Sequence, residues 1–185
     1  MLQNAIPALV LLALMVGIAF ALKWARGRVP GLAGVAGSTV ALGGATLTTG
    51  GNNASTVFAG VLSGTGVQSQ INNYVASQNG SVDSSGLYVV WAGGNDFFSA
   101  PAASTIQSAV TNLLADVSLL YAAGARDFLV PNLPDLSTTA EAMKQSAQVQ
   151  FGLKQLTLAF NSSLSASFAQ LQGQLAGSSI LVFDT

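Results

Sequence analysis

From residue 66 onward the apolar positions switch repeatedly between the period of an amphipathic helix and short unbroken runs, as when helices alternate with buried strands. Val67, Ile71, Tyr74 and Val75 recur at spacings of three and four, which predicts a helix over residues 66–78, stopped by the turn signal Asn79-Gly80. Leu87, Val89, Val90 and Trp91 form a short run rich in β-branched and aromatic types, the composition of a central strand buried on both faces. Ser104 is placed to cap the next helix, whose positions Ile106, Val110, Leu113, Leu114, Val117, Leu120 and Tyr121 make one stripe, and Gly124 closes it. Phe128-Leu129-Val130 reads as a second buried strand, ended at Pro131 because proline cannot donate to a ladder. Leu153, Leu156, Phe160, Leu164, Phe168, Leu171 and Leu175 define a long helix, and Ile180 to Phe183 a last strand. Strands joined in succession by helices predict the α/β class, with a parallel sheet in a three-layer α/β/α arrangement.

The first part of the chain has neither period. Ala5 to Leu22 carries no charged or strongly polar side chain and, at about 1.5 Å per residue, would reach roughly across the hydrocarbon core of a bilayer. Lys23, Arg26 and Arg28 follow this run and nothing but the amino terminus is positive before it, the opposite order from a secretory signal. Although Ala19-Phe20-Ala21 has the form of a cleavage site, an uncleaved membrane anchor is the stronger expectation. The charge order would keep the residues after Arg28 on the cytoplasmic side. Pro30-Gly31 makes the boundary, giving residues 1–29 as a hydrophobic helix with a basic flank and residues 30–185 as the domain. Up to about Gly66 the chain is rich in Gly, Ser and Thr, with one short strand expected at Ser38 to Leu42 that runs into Gly43-Gly44.

Composition narrows the chemistry. Half the residues are hydrophobic and only 7% are charged, with a formal net charge of -1. Three of the six basic residues crowd between Lys23 and Arg28, so no basic surface is available to neutralise a run of phosphates and nucleic acid is excluded as a partner. There is no cysteine and no histidine. Disulfides, thiolate metal sites and Ser-His or Cys-His catalysis within these residues alone are therefore excluded. No metal or cofactor is expected, since neither Gly-Gly-Ala-Thr nor Gly-Gly-Asn-Asp has the spacing or the lysine of a phosphate-binding loop.

What remains is the junction at Gly93-Gly94-Asn95-Asp96, where two glycines let the backbone turn and carry an amide just past the carboxyl end of a strand. This block, after the strand Leu87 to Ala92, resembles the Gly-x-Asn-Asp block of the GDSL esterase/lipase family, the SGNH hydrolases. Three further stretches agree in order. Ala41-Leu42-Gly43-Gly44-Ala45-Thr46 is similar to the family's glycine block, Val130-Pro131-Asn132-Leu133-Pro134-Asp135-Leu136 to its Asn-Leu-Pro-Asp-Leu segment, and Phe160-Asn161 with Ile180 to Asp184 to its closing helix and strand. The resemblance covers about Gly37 to Thr185 and implies an SGNH-hydrolase, flavodoxin-like sheet, here incomplete, and action on carboxylic esters or lipids without a cofactor.

It also implies roles. Gly43 would donate its backbone N–H and Asn95 its side-chain amide to the oxyanion of a tetrahedral intermediate, Gly93 and Gly94 would allow the turn, and Asp96 would hold it. Asn132 and Asp135 read as structural, and Trp91, Tyr121 and Phe160 as core. The family's Gly-Asp-Ser-Leu block should precede Gly43, but the serine there is Ser38 in Gly-Ser-Thr-Val, and its Asp-x-x-His block would have to follow Asp184-Thr185. The expectation is therefore a partial hydrolase domain, inactive as it stands. The alternative is a membrane-anchored, non-catalytic binding or assembly domain. The family is mostly exported, so an extracytoplasmic or membrane-associated location is expected despite the order of the flanking charges.

Overall fold

The computed structural model describes residues 66–99 and 102–185. Residues 1–65, with the apolar run Ala5 to Leu22, the boundary at Pro30, the strand expected at Ser38 to Leu42 and the Gly43 block, lie outside these. Helix α1 (Val67–Ser77) precedes strand β1 (Leu87–Val89), the short helix α2 (Gly94–Ser99) and the long helix α3 (Ala103–Ala122). Strand β2 (Asp127–Pro131), two 3₁₀ turns at Leu136–Thr138 and Ala142–Lys144, helix α4 (Ala147–Gln174) and strand β3 (Ser179–Phe183) complete the order.

The strands form a parallel sheet in the order β1-β2-β3, with Leu87 opposite Asp127, and Asp127 opposite Ser179. Successive residues of a strand point to opposite faces, and here the faces differ. Phe128 and Val130 of β2 enter the core with Leu113, Val117 and Leu120 of α3 and with Phe160, Leu164 and Phe168 of α4, while Tyr88, Ile180 and Val182 pack against the same cluster. Helices α3 and α4 also pack on each other, so both crossovers cover one face of the sheet. On the other face Leu129 is buried, whereas Leu181 is 51% exposed.

The α/β class and parallel sheet are thus as the hydrophobic pattern predicts, and the described residues show one helical layer against the sheet. β1 differs from the expected doubly buried strand. It has three half-buried residues and, among the described residues, pairs only with β2, which is the strand flanked on both sides. Trp91, expected in the core, is half-buried beyond the end of β1, and its indole Nε1 donates to the Asn132 carbonyl at 3.0 Å. An indole N–H needs such a partner once it leaves water.

Helix ends follow local chemistry. α1 stops where Asn79 (φ 56°) and Gly80 (φ 84°) turn left-handed, with Gly80 N–H donating to the Val75 carbonyl at 2.9 Å. α3 starts at Ala103 with Ala102 in extended conformation at the N-cap and no side-chain cap, so Ser104 sits inside the first turn. A shift of this size is common at helix ends. Gly124 ends α3 at φ +119°, and a Cβ there would lie 3.0 Å from the Val82 carbonyl oxygen. Gly124→Ala is therefore expected to cost about 1–3 kcal/mol through backbone strain alone, measurable as a lowered urea midpoint with an unchanged m-value.

The edge of β3 away from β2 is held by one side chain of α4. The Gln172 amide accepts from Ile180 N–H at 2.6 Å and donates to the Ser178 carbonyl at 2.8 Å.

Candidate functional site

The predicted block sits at the carboxyl end of β1, where open α/β sheets place their ligands. Gly93 is buried and adopts φ +117°, a conformation that favours glycine. Gly94 needs no such freedom. A methyl group on it would lie 3.6 Å from Leu136 Cδ2 and 3.9 Å from Leu133 Cδ2, ordinary contact distances. Two segments far apart in sequence, Gly93 to Asp96 and Asn132 to Leu136, are thereby brought together, and the Trp91 to Asn132 hydrogen bond joins them again.

Asn95 and Asp96 are half-buried and belong to helix α2, not to an extended loop as the glycines suggest. The turn into it is closed by Asp96 N–H donating to the Gly93 carbonyl at 3.1 Å. Phe97 pins the helix from below. Its side chain is fully buried and meets the equally buried Phe160 of α4 edge-on, with ring centroids 5.4 Å apart. The amide at position 95 is carried by a backbone anchored two residues later in the core.

The neighbouring segment is built for rigidity. Asn132 is buried, and its Nδ2 donates to Asp184 Oδ1 at 2.7 Å while its Oδ1 accepts from Thr185 N–H at 3.0 Å and from Thr185 Oγ1 at 2.9 Å. Its own N–H donates to the Phe183 carbonyl at 2.9 Å. Asn132 thus ties the ends of β2 and β3 together, as its structural reading predicts. Asp135 caps the 3₁₀ turn at Leu136–Thr138, accepting from the Ser137 hydroxyl at 2.6 Å and the Ser137 N–H at 3.0 Å. The Ser137 hydroxyl, chiefly, holds the Asp135 carboxyl below the usual aspartate range.

Two supports were not singled out from the sequence as such. The Asn161 amide brackets one residue, accepting from Leu133 N–H at 3.0 Å and donating to the Leu133 carbonyl at 2.8 Å. Thr157 is buried on the apolar stripe of α4, donates to the Leu153 carbonyl at 2.8 Å and accepts from Leu136 N–H at 3.3 Å. A threonine and an asparagine flanking Phe160 on an otherwise apolar stripe were the available signal, since buried polar groups keep hydrogen-bond partners.

Of the predicted site residues, the structure brings Gly93, Gly94, Asn95 and Asp96 into one turn. Gly43 lies outside the described residues. Among the described residues no group of acidic side chains could hold a metal ion, and no helix is long and apolar enough to cross a membrane. Asn95 is half-buried just past a strand's carboxyl end, and an amide N–H in a partly dry place acts more strongly on developing negative charge than one in water.

Comparison with known proteins bears on this geometry. The chain is similar over 82 residues, at 34% identity, to the protein named Lipase 1 from Photorhabdus luminescens, a match covering 42% of this chain and 13% of that protein. The chain therefore spans a small part of that relative's length. The model of the GDSL-like Lipase/Acylhydrolase family matches residues 21–185, and the chain belongs to that family.

Proposed function

We propose that the chain is the oxyanion-stabilising part of a serine ester hydrolase acting on carboxylic or lipid esters. The observation that carries this reading is the placement of Gly93-Gly94-Asn95-Asp96 at the carboxyl end of a parallel strand, backed by Leu133 and Leu136, in a chain of the lipase family. In this reading Asn95 donates its side-chain N–H to the developing oxyanion and the Gly43 backbone N–H supplies a second donor. Gly93 and Gly94 form the turn, and Asp96 closes it.

Such donors stabilise a charge that other groups must create. With no histidine in these 185 residues and no Gly-Asp-Ser-Leu block ahead of Gly43, the nucleophile and base of this proposal come from outside the sequence given. The apolar run Ala5 to Leu22 is, in the same reading, a membrane anchor that holds the domain near lipid substrate. The relative named as a lipase supports lipid esters as the substrate class.

The test is hydrolysis of p-nitrophenyl butyrate. The purified 185-residue chain is expected to give no turnover above buffer, because an oxyanion donor without nucleophile and base leaves little to accelerate. A form of the same domain that also carries a Gly-Asp-Ser-Leu block and an Asp-x-x-His block should hydrolyse it. Robust turnover by the 185-residue chain would overturn the proposed division of roles, and failure of a folded, completed form would overturn the ester-hydrolase reading.

A further inference from the structure

Among the described residues Asp116 stands apart from the site and from both ion pairs, Lys144 with Glu141 and Lys154 with Asp135. It lies on the buried face of α3 at 0% exposure, with Ala109, Leu113, Val117 and Leu120, and among the described residues neither carboxyl oxygen has a hydrogen-bond partner. Seven residues separate it from Ala123, which places the two on one stripe of a helix. The Ala123 carbonyl accepts from Val82 N–H at 2.8 Å, so the carboxyl end of α3 meets the connection leading out of α1, and α1 itself packs on α3. The opposite edge of α3 carries Tyr121, whose hydroxyl donates to the Ala176 carbonyl beyond α4.

No described element packed on α3 supplies a compensating cation. Helix α1 has no charged residue, and its titratable group is Tyr74. The connection after it carries Asp83, an exposed carboxylate accepting from Ser85. Helix α2 carries Asp96, and the sheet contributes Tyr88 and Asp127. Helix α4 contributes Lys154, exposed and 4.0 Å from the Asp135 carboxylate. Arg126 is engaged at the opposite edge, donating to the Tyr121 and Ala125 carbonyls with its guanidinium 4.4 Å above the Tyr121 ring.

An ionised carboxylate enclosed in this way, without partner or counter-charge, is strongly disfavoured, whereas the neutral acid is merely unsatisfied. We infer that Asp116 makes the packing of α1 on α3 pH-sensitive: the closed arrangement holds the neutral carboxylic acid, and ionisation releases α1 from α3. Burial pushes the Asp116 carboxyl up from 3.8 to about 7. A raised folded-state value means that the closed form is favoured most at pH below the free-aspartate value and loses stability as pH climbs toward 7, with no further loss above it. The device acts between the free-aspartate value and about pH 7, without histidine.

The test is hydrogen exchange of the amides of Val67–Ser77 in the 185-residue chain from pH 5 to pH 8, read as the ratio of the wild-type rate to that of Asp116→Asn so that the intrinsic pH dependence of exchange cancels. That ratio should rise roughly fiftyfold between pH 5 and 7 and then level off, while amides in the middle of α4 show a much smaller rise. Asp116→Leu, which also removes the ionisation and restores an apolar stripe, should match Asp116→Asn in its flat pH response and melt at a higher temperature than wild type at pH 8. Asp83→Asn, an exposed acid, should keep the wild-type slope. A ratio that stays constant with pH, an unchanged slope in Asp116→Leu, or an equal loss of protection in α4 would each overturn the inference.

Discussion

Phe160→Ala should lower the free energy of unfolding by about 3–5 kcal/mol, the usual cost of deleting a large, fully buried aromatic ring. The expectation rests on where the ring sits. Phe160 is fully buried near the middle of α4, in the core shared by α3, α4 and β2, and it meets Phe97 at 75° between ring planes. An edge-on pair adds about 0.5–1.5 kcal/mol beyond the area it buries. Thus the double variant with Phe97→Ala should lose less than the sum of the two single variants, because the second truncation no longer breaks the pair. Urea unfolding followed by far-ultraviolet circular dichroism measures both quantities. A loss below about 1 kcal/mol for Phe160→Ala would mean that the site collapses around the deletion.

The second large effect concerns catalysis. In a form of the domain that carries nucleophile and base, Asn95→Ala should lower kcat by roughly 10² to 10³, or about 2.7–4 kcal/mol of transition-state stabilisation, as loss of one oxyanion donor does. KM should change little, since the donor meets a charge that exists only in the transition state. The fold should survive, because Asn95 is half-buried while Phe97 supplies the anchor in the core. Unchanged turnover on a p-nitrophenyl ester would remove Asn95 from the proposed role.

The elements that sequence reasoning located well are those whose apolar period is long. The stripe from Leu153 to Phe168 corresponds to the buried face of α4, and that from Ile106 to Tyr121 to α3. Short elements were less legible. Leu87 to Trp91 reads as a doubly buried central strand because its residues are apolar and branched, yet the pleat ends at Val89 and Trp91 turns aside to reach the Asn132 carbonyl. Periodicity cannot detect a bond between residues 41 positions apart. The helix at Gly94–Ser99 was hidden by its own composition, since two glycines, an asparagine and an aspartate favour turns, and the helix is stabilised by the packing of Phe97 more than by propensity.

For the site, the turn chemistry of Gly93 was legible because few other residues tolerate φ +117°, and Asp135 was legible as a turn former. The supports were not. Thr157 and Asn161 serve Leu136 and Leu133, 21 and 28 residues earlier in the chain, and nothing local in the sequence records which peptide a buried hydroxyl or amide will satisfy. Asp116 was missed for a different reason. A single acid on an apolar stripe reads as a residue at the rim of the helix, and only the packed structure shows both its oxygens enclosed.

The Gln172 amide lends its donor and acceptor to Ser178 and Ile180 in the way two backbone groups of an adjoining strand would. It thereby ends the ladder on that side with a side chain from a helix. Strand edges with unsatisfied peptides are templates for indiscriminate growth, and here the entry point of that template is already taken. Any chain that adds beside β3 must either displace the glutamine or start its pairing further along, toward Val182. A strand pairing there would thus find its starting register set by one amide on a neighbouring helix and not by β3 itself.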